Sequence, residues 1–186
     1  MENPFLKTIR NSRMNLKEVY YWTNTIKDCR HLLKEDKFKL IILEELKWLV
    51  DHKKIVVYAF VIMPNHMHLV WELLEFNGKE SPHASFNKWT SSQFLKNLRK
   101  DHPKVLPFFV EQTSERSHRF WQRDPLAVLM NSRKKVEQKI DYIHLNPLND
   151  RWNLVKSPED YKWSSANFYE KGLDEFRILT HYMDRF

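Results

Sequence analysis

At 186 residues, with 42% hydrophobic and 14% aromatic content, the chain is long enough for one domain with a real core, and it is too apolar to be a disordered chain. Its only glycines, Gly78 and Gly172, exclude a glycine-rich loop that cradles phosphate, and the lone Cys29 excludes intrachain disulfides and multi-cysteine zinc knuckles. Thirty-one Lys and Arg against 24 Asp and Glu leave a net charge of +7 and a pI of about 9.4, which favours a polyanionic partner, with a solvated basic surface an equal alternative on charge alone.

In chain order, Met1 to Asn15 carries Glu2, Lys7, Arg10 and Arg13 and lacks a signal-peptide core. With no run near the ~20 apolar residues of a membrane span, the expectation is a cytoplasmic, nucleoid-associated protein that does not engage a membrane. Glu18 to Ile26 is rich in aromatic and β-branched residues and predicts a first strand. Asp36 caps a helix to about Val50, with Phe38, Ile41, Ile42, Leu46 and Leu49 at helical spacing. Lys54 to Ile62 is apolar on both faces and predicts a central strand. Met63-Pro64-Asn65 is turn chemistry, so the next strand, opening His66-Met67-His68, should close a hairpin.

Residues 76–82 read as a loop, and Ser85 or Asn87 starts a basic helix to about Lys100. A strand is expected over 117–123 and a helix from Ser132 to Leu145 that stops at Asn146-Pro147. Beyond it Trp152, Tyr161, Trp163 and Phe168 suggest an irregular tail packed on the body, with a short last helix. The order predicts an α+β fold, a ferredoxin-like (RRM-like) βαββαβ antiparallel sheet with one added C-terminal helix. One domain is expected, its core over about 18–147 and its tail over 148–186.

Residues two apart on a strand share a face, so His66 and His68 project side by side and make half of a metal site. On the 132–145 helix, Val136, Ile140 and Ile143 form the core stripe, while Tyr142 and Asn146, four apart, lie on one flank beside Lys135 and Lys139. His66 and His68 with the amide oxygen of Asn146 give an N,N,O site with open positions, suited to Mg²⁺ or Mn²⁺ that also binds substrate phosphate. Tyr142, one turn from Asn146, is then placed as a nucleophile toward phosphorus. A phenol needs help losing its proton near neutral pH, and Lys135 or Lys139 can supply it electrostatically.

Met63-Pro64-Asn65-His66-Met67-His68-Leu69 resembles the HUH motif of single-tyrosine transposases, and Tyr142-Ile143-His144-Leu145-Asn146-Pro147 resembles their nucleophile helix. Trp121-Gln122-Arg123 and Pro158-Glu159-Asp160-Tyr161-Lys162-Trp163-Ser164-Ser165-Ala166 are similar to segments of the REP-associated branch. The resemblance spans roughly 19–168, and four segments in order are specific where any one alone is weak. It implies an RRM-like sheet with the histidines on a central strand. The implied activity is metal-dependent cleavage and rejoining of single-stranded DNA near a hairpin, through a 5′-phosphotyrosine and a free 3′-OH, with no ATP site needed. By the same resemblance Tyr142 is the nucleophile, His66 and His68 bind the metal, and Asn146 takes the third-ligand position. Related enzymes are dimers or monomers, and a homodimer is favoured here.

Two departures from the family pattern are Asn149-Asp150-Arg151-Trp152, where relatives carry a glycine-containing turn, and Tyr21-Trp22-Thr23-Asn24, expected to alter how DNA or a partner meets the sheet edge. Arg119, Arg123, Arg133, Lys135 and Lys139 surround the candidate site in sequence, and phosphate contact is their natural use. Trp121 is read as core in preference to a base-stacking platform. Lys96, Arg99 and Lys100 are either a grip for a hairpin stem or a solvated face. A DNA-binding protein without turnover and an RNA-binding module are the rival readings.

Overall fold

The computed structural model describes residues 14–113 and 116–186, the side chains of 112–116 excepted. The leader reading of Met1 to Asn15 thus falls almost wholly outside the described residues. The strands β1 (Val19–Thr25), β2 (Ile55–Ile62) and β3 (His66–Leu73), with the helices α1 (Asp36–Asp51) and α2 (Pro82–Asp101), follow the expected order. A small hairpin of β4 (Val110–Thr113) and β5 (Arg116–His118) comes next, then β6 (Leu126–Leu129), the helix α3 (Arg133–Leu145) and a short α4 (Ala166–Lys171). The main sheet is antiparallel in the order β2-β3-β1-β6. This is the α+β, ferredoxin-like arrangement, with β6 as its fourth strand.

Four expectations need correction. The segment 117–123 is not the fourth sheet strand: only its start is extended, and it pairs with β4 in a separate hairpin. Leu126–Leu129 takes the fourth place, paired with Tyr20–Thr23 of β1, while 117–123 touches the sheet only at the end of β1, through the Ile26–Trp121 bridge and Gln122 N–H donating to Thr25 O at 2.8 Å. The basic helix begins at Pro82, three residues before Ser85, since proline at a first helical position loses no hydrogen bond. The segment Tyr21-Trp22-Thr23-Asn24 lies on no edge; β1 is flanked by β3 and β6. Finally, β2 is an edge strand of the sheet rather than a central one.

The edge position of β2 and its apolar character are reconciled by the tail. Ile62 N–H donates to Trp163 O, Ser165 N–H to Phe60 O and Thr180 N–H to Val57 O, at 2.8, 2.9 and 2.9 Å. The tail therefore satisfies backbone groups that a bare edge leaves open to pairing with another chain. Tyr161 Oη adds a bond to Ile62 O at 2.8 Å. What reads as an irregular tail is in effect a cover for one edge.

The sheet has two unlike faces. Against α1 and α2 it presents Tyr20, Trp22, Met67, Leu69 and Trp71, all buried. Trp22 and Trp71 stack at 4.8 Å, Phe86 meets Trp22 edge-on, and Phe38, Phe94 and Phe120 extend the aromatic layer. Trp121 joins this core as expected, its indole N–H donating to Thr90 Oγ1 at 2.9 Å. The opposite face carries α3, whose stripe Val136, Ile140 and Ile143 is buried against β2 and β3. Near α3's C-terminal end this face turns polar.

Candidate active site

Register places the polar residues. Thr25 lies opposite His66 and Thr23 opposite His68, with Tyr21 two residues further along β1 on the same face. The imidazoles of His66 and His68 are 4.7 Å apart between ring centres, as their spacing requires. The turn before them is held from two sides: Met63 N–H donates to His66 O, and Asn65 Nδ2 donates to Cys29 O at 3.0 Å. Asn65 is itself buried, and its Oδ1 accepts from His66 Nδ1 at 2.6 Å. That bond leaves His66 Nε2 as the free nitrogen.

His68 is held through the same ring nitrogen. Its Nδ1 lies 2.8 Å from Thr23 Oγ1 and 2.9 Å from Tyr21 Oη. With the proton on Nδ1, the buried Nε2 is a bare lone pair without any hydrogen-bond partner among the described residues. An orphaned acceptor in the interior is costly unless something binds it. Burial, with the Arg151 charge second, pushes the His66 imidazolium down to about 4. Burial, then His66 and Lys139, holds His68 well below the usual histidine range. Both rings are neutral at pH 7, the form that ligates a cation.

Tyr142 stands over this pair. The Asn146-Pro147 sequence ends α3, yet Asn146 keeps right-handed helical backbone angles (φ −56°, ψ −42°) and opens a 3-10 turn to Leu148. Proline is tolerated there because a first-turn N–H has no partner to lose. The helical path therefore continues past the proline's neighbour, and Tyr142 and Asn146 line the same cavity of about 370 Å³ as His66 and His68. The Tyr142 ring sits 5.5 Å from that of His68 and 6.3 Å, edge-on, from that of Tyr21. Tyr142 is 46% exposed and Asn146 3%; the phenol is open to a substrate and the amide belongs to the wall.

Of the five candidate cations, one is at the centre. Lys139 Nζ lies 4.5 Å from the Tyr21 ring centre and 5.3 Å from that of Tyr142. Lys135 donates instead to Asn131 Oδ1 at 2.8 Å, and Arg133 pairs with Glu137 at 2.7 Å at the far end of α3. Arg119 and Arg123 both pair with Glu111, at 3.3 and 2.7 Å. Sequence reasoning missed Tyr21, Thr23, Asn65, Cys29 and the active-site position of Arg151 and Trp152, all at the cavity or its inner support. Alternation along β1 groups Tyr21 with Thr23; nothing local aligns them with His68. Trp152, 5.8 Å from His66 ring to ring, is the wall supplied by the glycine-free turn.

No three His, Cys, Asp or Glu side chains converge as a metal cluster among the described residues. The amides of Asn65, Asn146 and Asn149 line the cavity beside the two histidines.

No family profile matches the sequence, and no curated protein does. Among solved structures, that of a REP-associated tyrosine transposase bound to a REP hairpin is similar over 89% of this chain and 88% of that chain, with a TM-score of 0.61 and 18% identity. This chain shares its fold. The similarity extends over nearly the whole length of both chains.

Proposed function

We propose that the chain is a metal-dependent DNA strand transferase that cleaves and rejoins single-stranded DNA near hairpins through a 5′-phosphotyrosine. The observation that carries this reading is the placement of a half-exposed phenol, Tyr142, over two neutral imidazoles whose Nδ1 atoms are both engaged within the fold. The transposase-type fold and the basic net charge support it. The hairpin DNA held by the similar structure supports a hairpin as the partner here.

Tyr142 Oη attacks phosphorus; the P–Oη bond forms as the bond to the 3′-oxygen breaks. The phenolic proton leaves to solvent, and the departing oxygen takes up a proton to become a 3′-OH. Lys139 Nζ, 5.3 Å from the Tyr142 ring centre, brings a positive charge beside the phosphate under attack. Attack by a 3′-OH on the phosphotyrosine reverses the step, and the ester's energy is retained. His66 and His68 through Nε2, with the Asn146 amide oxygen, would hold Mg²⁺ or Mn²⁺, which when bound polarises the phosphodiester and absorbs developing charge. Thr23 and Tyr21 keep His68 oriented for that task.

The test uses single-stranded oligonucleotides carrying hairpins from DNA flanking the gene. A covalent adduct dependent on Mg²⁺ or Mn²⁺ is expected with the native chain and none with Tyr142→Phe. Survival of the adduct in that variant overturns the assignment, and hairpin binding without cleavage at any metal concentration favours a binding protein without turnover.

A further inference from the structure

Beside the candidate active site lies a second cavity, of about 270 Å³, walled by Leu98, Val105, Phe108 and Phe109 and rimmed by Arg30 and His31. The loop 27–31 separates the two. Two consecutive left-handed residues, Asp28 (φ 56°) and Cys29 (φ 53°), turn it so that Cys29 lines the Tyr142 cavity while Arg30 and His31 line the other. Side chains rarely adopt such angles in succession, and the bond from Asn65 to Cys29 O helps to hold them.

Aromatic rings mark a path between the cavities. Trp152 is 5.8 Å from His66 and 5.7 Å from His31, and Arg151 lies over the Trp152 ring at 5.3 Å. At the far end Arg30 lies over the Phe108 ring at 4.6 Å, and Phe108 is 52% exposed. Lys27 Nζ donates to the carbonyl oxygens of Phe108 and Val110, which brings a further cation to this rim. Two carboxylates share this rim: Glu35, 3.3 Å from Lys37, and Asp28, 3.7 Å from Arg30 Nε, which leaves the rest of the Arg30 guanidinium to face a phosphate. Flat rings alternating with guanidinium groups are how proteins hold single strands, bases on the rings and phosphates on the cations.

We propose that this second cavity is a nucleobase-stacking subsite, in which one base of the single strand leaving the Tyr142 centre packs at Phe108 and its phosphate meets Arg30. The proposal rests on the DNA-processing reading and adds the course of the strand. Stacking accepts any base, so the subsite contributes affinity and strand placement more than sequence choice. An exposed phenylalanine above an apolar hollow is thereby given a partner.

The experiment uses the full chain carrying Tyr142→Phe, to prevent turnover, and a short oligothymidine containing 5-iododeoxyuridine. Photo-crosslinking followed by peptide mass spectrometry is expected to mark Phe108, and Phe108→Ala is expected to remove that crosslink and weaken oligothymidine binding roughly ten-fold, the scale of one stacked base. Arg30→Ala should weaken binding and lessen its salt dependence. Crosslinks found only elsewhere, or binding unchanged in Phe108→Ala and Arg30→Ala, overturn the subsite. Adduct formation by the chain with Tyr142 intact is scored separately. A chain that forms the adduct but ignores Phe108→Ala loses the subsite alone; one that crosslinks at Phe108 but never forms an adduct loses the strand-transfer reading.

Discussion

Strand β1 shows the two faces of the sheet in seven residues. Tyr20 and Trp22 point toward α1 and α2 into a dry aromatic layer, where Trp22 is wholly buried against Trp71 and Phe86. Tyr21 and Thr23 point the other way and place hydroxyls on His68. Neighbouring residues thus serve opposite ends, one face stabilising the fold by apolar burial and the other ordering a polar site at some cost in desolvation. The helix-packed face provides the rigidity on which the histidines are held. A site on central strands stays placed because its backbone is bonded on both sides.

Substitutions on the two faces should therefore separate stability from function. Trp22→Ala, on the packed face, is expected to cost about 3–5 kcal/mol of folding stability, measured by urea unfolding. A loss below about 1 kcal/mol would mean that the aromatic layer is not the fold's main support. On the other face, Thr23→Val keeps the shape and removes a hydroxyl from His68 Nδ1. It should weaken Mn²⁺ binding by about ten-fold in calorimetric titration, the scale of a lost outer-shell contact, while unfolding shifts by less than about 1 kcal/mol. Unchanged Mn²⁺ affinity would leave His68 oriented by Tyr21 alone, or not a ligand.

A smaller effect probes Glu45, an acid buried on α1. Burial, with Glu44 second, pushes the Glu45 carboxyl up to about 7. The native state keeps a proton that the unfolded chain releases above about 4.5. The stabilisation is thus whole below that pH and lost as the pH rises through about 7. Glu45→Gln should flatten this fall, on the order of 1–2 kcal/mol between pH 4.5 and 8. Equal pH profiles for the two proteins would show that Glu45 is ionised throughout in the native chain.

Much of this arrangement could be read along the chain. The helical stripe of Val136, Ile140 and Ile143, the His66/His68 pair on one strand face and the i, i+4 pairing of Tyr142 with Asn146 follow from local periodicity, and each is present. The misread elements share one cause. The doubly apolar β2 was expected to be central because burial on both sides was legible, while the agent of burial, a tail about 100 residues later, was not. The fourth strand was misplaced because 117–123 has strand composition and only pairing decides which extended segment joins a sheet. Likewise, five cations near the site in sequence became one beside it in space, since helix phase and acidic partners such as Glu111 and Glu137 dispersed the rest.

By itself, then, the sequence determined which residues share a strand face or a helix flank, because those periods are properties of the backbone. It also determined that the chain would be basic, aromatic-rich and without disulfides. Tertiary structure alone decided that Thr23 and Tyr21 meet His68, that Lys139 rather than Lys135 stands over Tyr142, and that the loop 27–31 divides two cavities. These contacts depend on register and on packing between segments far apart in the chain. Such choices are settled by the free energy of the whole fold, to which no local stretch has access.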